Sequence, residues 1–369
     1  MKLWDTIVVG AGPAGCAAAY DLAAAGRGVL LIDRADFPRQ KACAGGLTLK
    51  TVRALRYSIE PVVRLKISHM RLERDAERAT VLRRRAAYCF MTVRQEFDDF
   101  CLRRTLAAGA QFQRVRAVTA IAECADEVAV TVDGKVLRAR FLIGADGVHS
   151  VVRQLTCVDA GWFWRGFALE AAVPVSDGAA DDLIFDFAPV RDGYGWIFPK
   201  GDHLNIGLYS YANDERVDRA RLGAYIRSRN CDAREDSVIG QFAGFGAAGH
   251  RSSAARIFLV GDAGGFVDPL TGEGIYFAVS SGQAAADAVD AALSSRALAH
   301  ERFAQGTAKL RSDLAVSTSA ARWFYANLDK AHRILSMRLL HGAVLNAFAS
   351  GFHPGRLAAR VRRLIPSAS

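Results

Sequence analysis

Gly10-Ala11-Gly12-Pro13-Ala14-Gly15, with Asp33 about twenty residues on, has the residue types and spacing to hold a pyrophosphate and a ribose. Gly10 permits a tight turn. Gly12 lets the backbone approach phosphate, and Gly15 lets a helix pack closely on a strand. Pro13 and Ala14 open that helix, whose free amides and partial positive charge face the anion. Asp33 can accept hydrogen bonds from a ribose. Arg34 beside it suits a phosphorylated ribose or is a solvated side chain. The chemistry is dinucleotide binding, with FAD or NAD as the ligand.

A second group separates those two. Gly261-Asp262-Ala263-Gly264-Gly265 is followed by Asp268-Pro269-Leu270-Thr271-Gly272-Glu273-Gly274-Ile275. Asp262 is suited to the ribityl hydroxyls of a flavin. The helix opening at Gly274 and Ile275 would aim its positive end at N1 and O2, where a reduced flavin gathers negative charge. FAD is therefore the expected cofactor. Cys43, near Lys41 in a glycine-bearing loop, is either an inert small residue or a proton donor facing the flavin. Tyr194, Trp196 and Phe198 alternate along a strand and so share one face. They form a packed sheet face, an aromatic wall for an apolar substrate, or both. His203 reads as a surface residue and Tyr276 as a packing residue.

The elements that must position these residues follow from the pattern. Residues 1 to 35 read as a βαβ unit, and Phe37 to Leu47 as a loop. Arg94 to Leu106 reads as a helix. Asp133-Gly134 between Val128–Val132 and Val136-Leu137 predicts a hairpin. From 160 to 245 the chain turns strand-rich, at 167–173, 183–187, 195–198 and 204–208. A buried strand at 256–260 then enters Gly261, a helix runs from Gly274 to about Ser294, and the remainder is helical. The fold class is α/β. A discontinuous Rossmann-type FAD-binding domain (1–70, 94–158 and 250–296) carries an inserted antiparallel-sheet substrate domain (71–93 and 159–249), and 297–369 is a helical C-terminal region. A second glycine series, Gly244-Phe245-Gly246-Ala247-Ala248-Gly249, is rejected as a nucleotide turn. No apolar strand is evident before it, and His250-Arg251-Ser252 follows where a helix should start.

Of 369 residues, 51% are hydrophobic and 23% charged, which allows a sizeable core. Seven cysteines are scattered without metal-ligand spacing, so neither a metal site nor a disulfide framework is expected. The N-terminus enters the first strand directly, which predicts no signal peptide and a cytoplasmic protein. No apolar run is long enough to span a bilayer. The net charge of +10 fits a high-arginine solvated face, an anionic membrane surface, or an acidic electron donor. No nucleic-acid motif is present. The segment Arg333 to Phe352 reads as a helix that either packs on the substrate domain and closes the pocket or lies on the membrane's inner face, with Arg356 to Arg363 on its headgroups.

The glycine series at 10–15, Gly144-Ala145-Asp146-Gly147 and Gly261-Asp262 together resemble the flavoprotein monooxygenase superfamily of the p-hydroxybenzoate hydroxylase type. Within it the chain looks most like the geranylgeranyl reductase family. The specific marks are Pro38-Arg39-Gln40-Lys41-Ala42-Cys43-Ala44-Gly45-Gly46-Leu47, Tyr194-Gly195-Trp196-Ile197-Phe198-Pro199-Lys200 and Asp268 to Ile275. Arg94, with Phe97 and Asp98, resembles the family's arginine that reaches FAD, here expected at the pyrophosphate. The family has Cys-Gly-Gly where this chain has Cys43-Ala44-Gly45, and the extra methyl would narrow the site. The resemblance covers about residues 1 to 295. It adds Lys41, Ala44, Gly45, Arg94, Val118, Asp146, Gly147, Gly261, Pro269 and Gly272 to the FAD-binding set, and it makes Cys43, Tyr194 and Trp196 the catalytic set.

The resemblance implies an FAD-dependent reductase that saturates carbon–carbon double bonds of a polyprenyl, isoprenoid-lipid substrate, with NADPH or reduced ferredoxin as reductant. The proton donor is left open among Cys43, Tyr194, water and the flavin. A monooxygenase or halogenase on the same fold is the alternative, although Tyr194-Gly195-Trp196 departs from a paired-tryptophan halogenase motif. A flavin-binding protein without turnover is a third reading.

Overall fold

The structure is a computed structural model. It describes residues 2–74, 79–157, 161–175, 182–212, 217–234, 237–250, 254–295 and 297–350. Strand β1 (Leu3–Val9) delivers the chain to the glycine turn, α1 (Pro13–Ala24) follows, and β2 (Val29–Asp33) returns parallel to β1. Three short strands, β3 (Gly46–Thr48), β4 (Leu65–Ile67) and β7 (Cys89–Met91), form a small sheet of their own, joined by α2 (Leu49–Ala54). This sheet is not legible in the pattern, since each strand is only three residues long. Between them, β5 (His69–Glu73) and β6 (Ala79–Arg83) leave for a second large sheet.

The chain returns through α3 (Arg94–Ala107), β8 (Gln111–Arg114), β9 (Val118–Glu123), β10 (Val128–Val132), β11 (Lys135–Gly144) and α4 (Val151–Thr156). The first sheet runs β8-β2-β1-β11-β10-β9. Its β8, β2, β1 and β11 are parallel, and β10 turns back on β11 through the Asp133-Gly134 hairpin. The central strands β1 and β2 and the second half of β11 are buried along nearly their whole length, as strands covered on both faces must be, whereas the edge strand β8 is largely exposed.

The second sheet is built from β12 (Trp164–Pro174), β13 (Leu183–Asp186), β14 (Gly193–Pro199), β15 (His203–Ser210) and β16 (Ile239–Phe245), with α5 (Arg219–Ser228) on one face. Its order is β16-β12-β15-β14-β13-β5-β6. It is antiparallel except where β5 lies parallel to β13, so the expected purely antiparallel sheet is mixed. Strand β16 also corrects the sequence reading around Gly244. A strand does precede that glycine series, but it belongs to this second sheet, and the described residues that directly follow it, 246–250, form turns and no helix.

Strand β17 (Ile257–Leu259) rejoins the first sheet beside β11, and α6 (Ile275–Ser295) packs on α1 through alanines. The expected single helix over 333–352 is broken. After α7 (Ala299–Ala326) come α8 (Leu328–Leu335), a 3-10 turn at Arg338–Leu340, and α9 (His341–Ser350). Leu345 and Ala349 of α9 are buried in the same cluster as Phe185, Tyr194 and Trp196. Helix α9 therefore covers the aromatic face of the second sheet. Arg356 to Arg363 lie outside the described residues. No described helix is long and apolar enough to cross a membrane.

Candidate active site

The glycine turn has the shape that its sequence implies. Gly10 sits at φ +102°, and a Cβ on Gly15 would lie 1.8 Å from the Gly10 carbonyl oxygen, so the start of α1 approaches the turn as only glycine allows. Helix α1 has no side-chain cap, which leaves its first amides available to an anion. Asp33 braces the turn, with Oδ2 accepting the Ala11 amide at 2.7 Å and Oδ1 the Ala35 amide at 2.8 Å.

A cavity of about 670 Å3 opens in front of this turn, within the range of small-molecule sites. Gly10, Gly12, Asp33, Arg34, Lys41, Val118, Asp146 and Gly147 line it. Arg39, quoted only within its motif, lines it as well, as do Arg116 and His149, which sequence reasoning missed. Asp146 is occupied by the chain itself. It accepts the Ser150 hydroxyl and the amides of Val151 (2.7 Å) and Val152 (3.1 Å), and burial raises its pKa against those bonds. An uncapped helix start, a braced acid and a basic rim fit the diphosphate and ribose of FAD.

An inner cavity of about 190 Å3 adjoins the first, and the two share Lys41, Ala42 and Gln241 as walls. Pro13, Cys43, Ala44, Gly45, Arg94, Tyr194, Trp196, Asp262, Gly272, Gly274 and Ile275 converge on it. Ala14, Gly15, Gly261 and Pro269 line neither cavity. Gly261 donates its amide to Ser281 Oγ at 2.9 Å, and the Pro269 carbonyl accepts the Tyr209 hydroxyl at 3.0 Å.

Arg94, expected at the pyrophosphate, is found beside Asp98. It lines the inner cavity only, where both its hydrogen bonds to Asp98 are 2.9 Å long. Burial works against its charge, but Asp98 and the neighbouring Cys43 sulfur more than offset that and raise its pKa. Arg39, 3.1 Å from the same Asp98 carboxylate, lines the outer cavity instead. Lys41 is pushed below the usual lysine range, first by burial and then by Arg94.

On β14 the side chains alternate as expected. Tyr194, Trp196 and Phe198 belong to the cluster under α9, and Ile197 to the opposite cluster under α5. Phe185, Phe198 and Phe348 of α9 meet edge-on at the wall of the inner cavity. Tyr194 donates its hydroxyl to the Thr271 carbonyl, and burial raises its pKa, so it serves as a wall residue rather than a free acid. Trp196 donates Nε1 to Asn205 Oδ1 at 2.6 Å. That contact needs Gly207, where a Cβ would lie 2.2 Å from the indole.

Two polar residues of this wall, Glu170 and Glu273, and Lys200 packed behind it were given no task in the sequence reading. Glu170 of β12 accepts the Cys43 amide at 2.8 Å. Lys200 is buried, donates to the carbonyls of Ala44 and Thr92 (3.0 Å to the latter), and has its pKa lowered to about 8 by burial. Glu273 accepts from Thr48 Oγ1 at 2.6 Å and pairs with Lys50 at 2.6 Å. A lone acid inside Leu169-Glu170-Ala171-Ala172-Val173 was the available signal for Glu170. Lys200 was quoted within its motif but given no task. The described residues include no cluster of His, Cys, Asp and Glu suited to a metal, and all seven cysteines are free thiols.

A family profile described as an FAD binding domain matches residues 4–301. An uncharacterized protein of Methanosarcina barkeri is 31% identical over 358 residues, 95% of this chain and 91% of that protein. Menaquinone reductase of Mycolicibacterium smegmatis is 32% identical, covering 77% of this chain and 75% of that one. Geranylgeranyl diphosphate reductase of Rhodobacter capsulatus is 30% identical, covering 79% and 76%. Among solved structures, a geranylgeranyl bacteriochlorophyll reductase-like protein from Thermoplasma acidophilum superposes with a TM-score of 0.79 at 20% identity, covering 99% of this chain and 100% of that one. The flavin-dependent brominase Bmp2 superposes at 0.76 with 16% identity, covering 98% and 99%, which shows a shared fold.

Proposed function

The chain belongs to the FAD binding domain family and, within it, to the geranylgeranyl reductase family of FAD-dependent oxidoreductases, and from that premise we propose that it saturates carbon–carbon double bonds of a polyprenyl lipid. The supporting observation is that the two cavities adjoin: a diphosphate-and-ribose cradle and an aromatic chamber share Lys41, Ala42 and Gln241 as walls. FAD, bound and reduced, supplies a hydride. The chain's own residues hold the pyrophosphate at α1, seat the ring between Asp262 and the start of α6, and keep water from the reacting bond with Tyr194, Trp196 and Phe198. Each methylene that the wall buries contributes roughly 0.8 kcal/mol, which suits an isoprenoid chain. Cys43, against Arg94, lies where substrate and flavin would meet.

The reductant in this reading is NADPH or reduced ferredoxin. The basic rim at Arg34, Arg39 and Arg116 would attract either anionic donor. The protein works in the cytoplasm at the inner face of the membrane, where its substrate resides. Trp323, Ile334, Met337 and Leu339 expose large apolar surface near the C-terminal end and are the residues to touch lipid.

The test is mass spectrometry of polyprenyl lipids incubated anaerobically with dithionite-reduced protein. The expected product gains two hydrogens per reduced bond. A well-folded, colourless protein that cannot be reconstituted with FAD would overturn the reading. The brominase likeness keeps a monooxygenase or halogenase as the second reading. Product formation that requires oxygen, with no gain of hydrogen under anaerobic conditions, would favour it.

A further inference from the structure

We propose that Glu170 is the acid of the site and delivers the proton that completes reduction of the double bond. This rests on the polyprenyl-reductase reading. Among the described residues four acids are buried: Glu73, Asp98, Glu170 and Asp186. Glu73 pairs with Arg71 and Arg229, Asp98 with Arg94 and Arg39, and Asp186 with Arg229. Glu170 alone has no ion-pair partner among them, and it is the one of the four that lines the inner cavity. Burying a lone carboxylate is costly unless it keeps a proton, so an acid held this way is poised to give one up.

Its surroundings fix its direction. Leu169, Ala171 and Val173 of β12 point into the cluster under α5, and the alternation turns Ala168 and Glu170 to the cavity. The Cys43 amide donates to Glu170 Oε1 at 2.8 Å. Asn205 of β15 also bonds to it, and because the Asn205 oxygen is taken by Trp196 Nε1, its NH2 is what faces Glu170. Burial raises the Glu170 pKa, opposed by those two donors and by the charges of Lys200 beyond β14 and Arg94 on α3. Of the other candidate donors, the Tyr194 hydroxyl is engaged with the Thr271 carbonyl, and the Cys43 sulfur accepts from the Gly45 amide at 3.4 Å and from Arg94.

The step balances without a further reagent. The hydride from the reduced cofactor forms one C–H bond. The π pair of the alkene takes the Glu170 proton to form the second, leaving Glu170 a carboxylate. The Cys43 amide, Asn205 and the nearby cations hold that charge until a proton from water restores the acid after product leaves.

Glu170→Gln keeps an oxygen for the Cys43 amide and removes the proton. Expected are unchanged FAD content, flavin reduction and melting temperature, with single turnover of pre-reduced protein slowed about 100-fold or more. The wild-type rate should fall as pH rises through the Glu170 pKa, above the ordinary glutamate value of about 4.3, and the residual rate of the variant should be flat there. A variant matching wild type overturns the proposal. If Glu170→Gln does not fold, the wild-type profile decides: a rate falling with rising pH supports it, and a flat one overturns it. A separate readout needs no substrate. The infrared carbonyl band of a buried protonated carboxyl should be present in the wild type and absent from Glu170→Gln. Without that band the proposal fails even where lipid is reduced, whereas a band with no lipid reduced locates the failure in the function reading.

Discussion

Asp33 Oδ2 accepts the Ala11 amide at 2.7 Å, tying the end of β2 to the middle of the glycine turn. The acid that would meet a ribose thus also holds the turn that would meet the pyrophosphate. Asp33→Ala should cost the turn its brace and the ribose its acceptor together. A charged hydrogen bond contributes roughly 1.5–3 kcal/mol, so FAD affinity should fall about tenfold to a hundredfold. Titration of apoprotein with FAD, followed by flavin fluorescence, measures this, and an unchanged Kd removes the assignment.

Gly207 and Trp196 make the second prediction. A Cβ at 207 would meet the indole at 2.2 Å, and the backbone beneath cannot recede because β15 is paired on both sides. Gly207→Ala should displace Trp196, break its bond to Asn205, and destabilise the protein by about 1–3 kcal/mol as an overpacked core site. Thermal melting checks the stability. Weaker tryptophan-to-flavin quenching would report the displaced ring.

How much of this was legible depended on distance along the chain. The turn at 10–15 and the acid at 33 act within one βαβ unit, so spacing alone conveys them. The strand alternation that puts Tyr194, Trp196 and Phe198 on one face is equally local. Glu170 reaches Cys43 across 127 residues, and Lys200 reaches Ala44 across 156, so nothing in the local pattern can join them. Arg39 and Arg94 were legible as cations, but their common carboxylate, Asp98, sorts one to each cavity, and that is a matter of packing. Helix α9 shows the same limit. Its apolar residues suit a membrane or a protein face alike, and only the second sheet beneath it decides.

Lys200 gives the stability a pH dependence. Its pKa is lowered to about 8 by burial, from the 10.5 of a free lysine. Between these values the unfolded chain binds more protons than the folded one, so the stability contribution of this group rises with pH across that window. Below about 8 the full cost of the buried charge is present. Lys200→Met removes the group and its titration. Denaturant melts from pH 7 to 10.5 should show wild type gaining on the variant by ~1–3 kcal/mol as pH rises. A constant difference would mean that Lys200 titrates normally.

Phe348 lines the inner cavity, edge-on to Phe185 at 5.7 Å and to Tyr88 at 5.8 Å between ring centroids. It is only half-buried, so Phe348→Ala should cost less than the ~3–5 kcal/mol of a fully buried phenylalanine. The larger effect is geometric. Removing the ring enlarges the chamber, without touching Asp33, Asp262 or Cys43. On the polyprenyl-reductase reading, a longer or bulkier chain should then gain rate relative to a shorter one, while FAD content and flavin reduction stay as in wild type. Phe348→Trp should shift the preference the other way by filling the same space. Competition between two chain lengths in one reaction, read by mass spectrometry, measures the ratio directly. If neither substitution moves that ratio, α9 is a brace for the second sheet, and the chamber's size is set by Phe185 and Phe198.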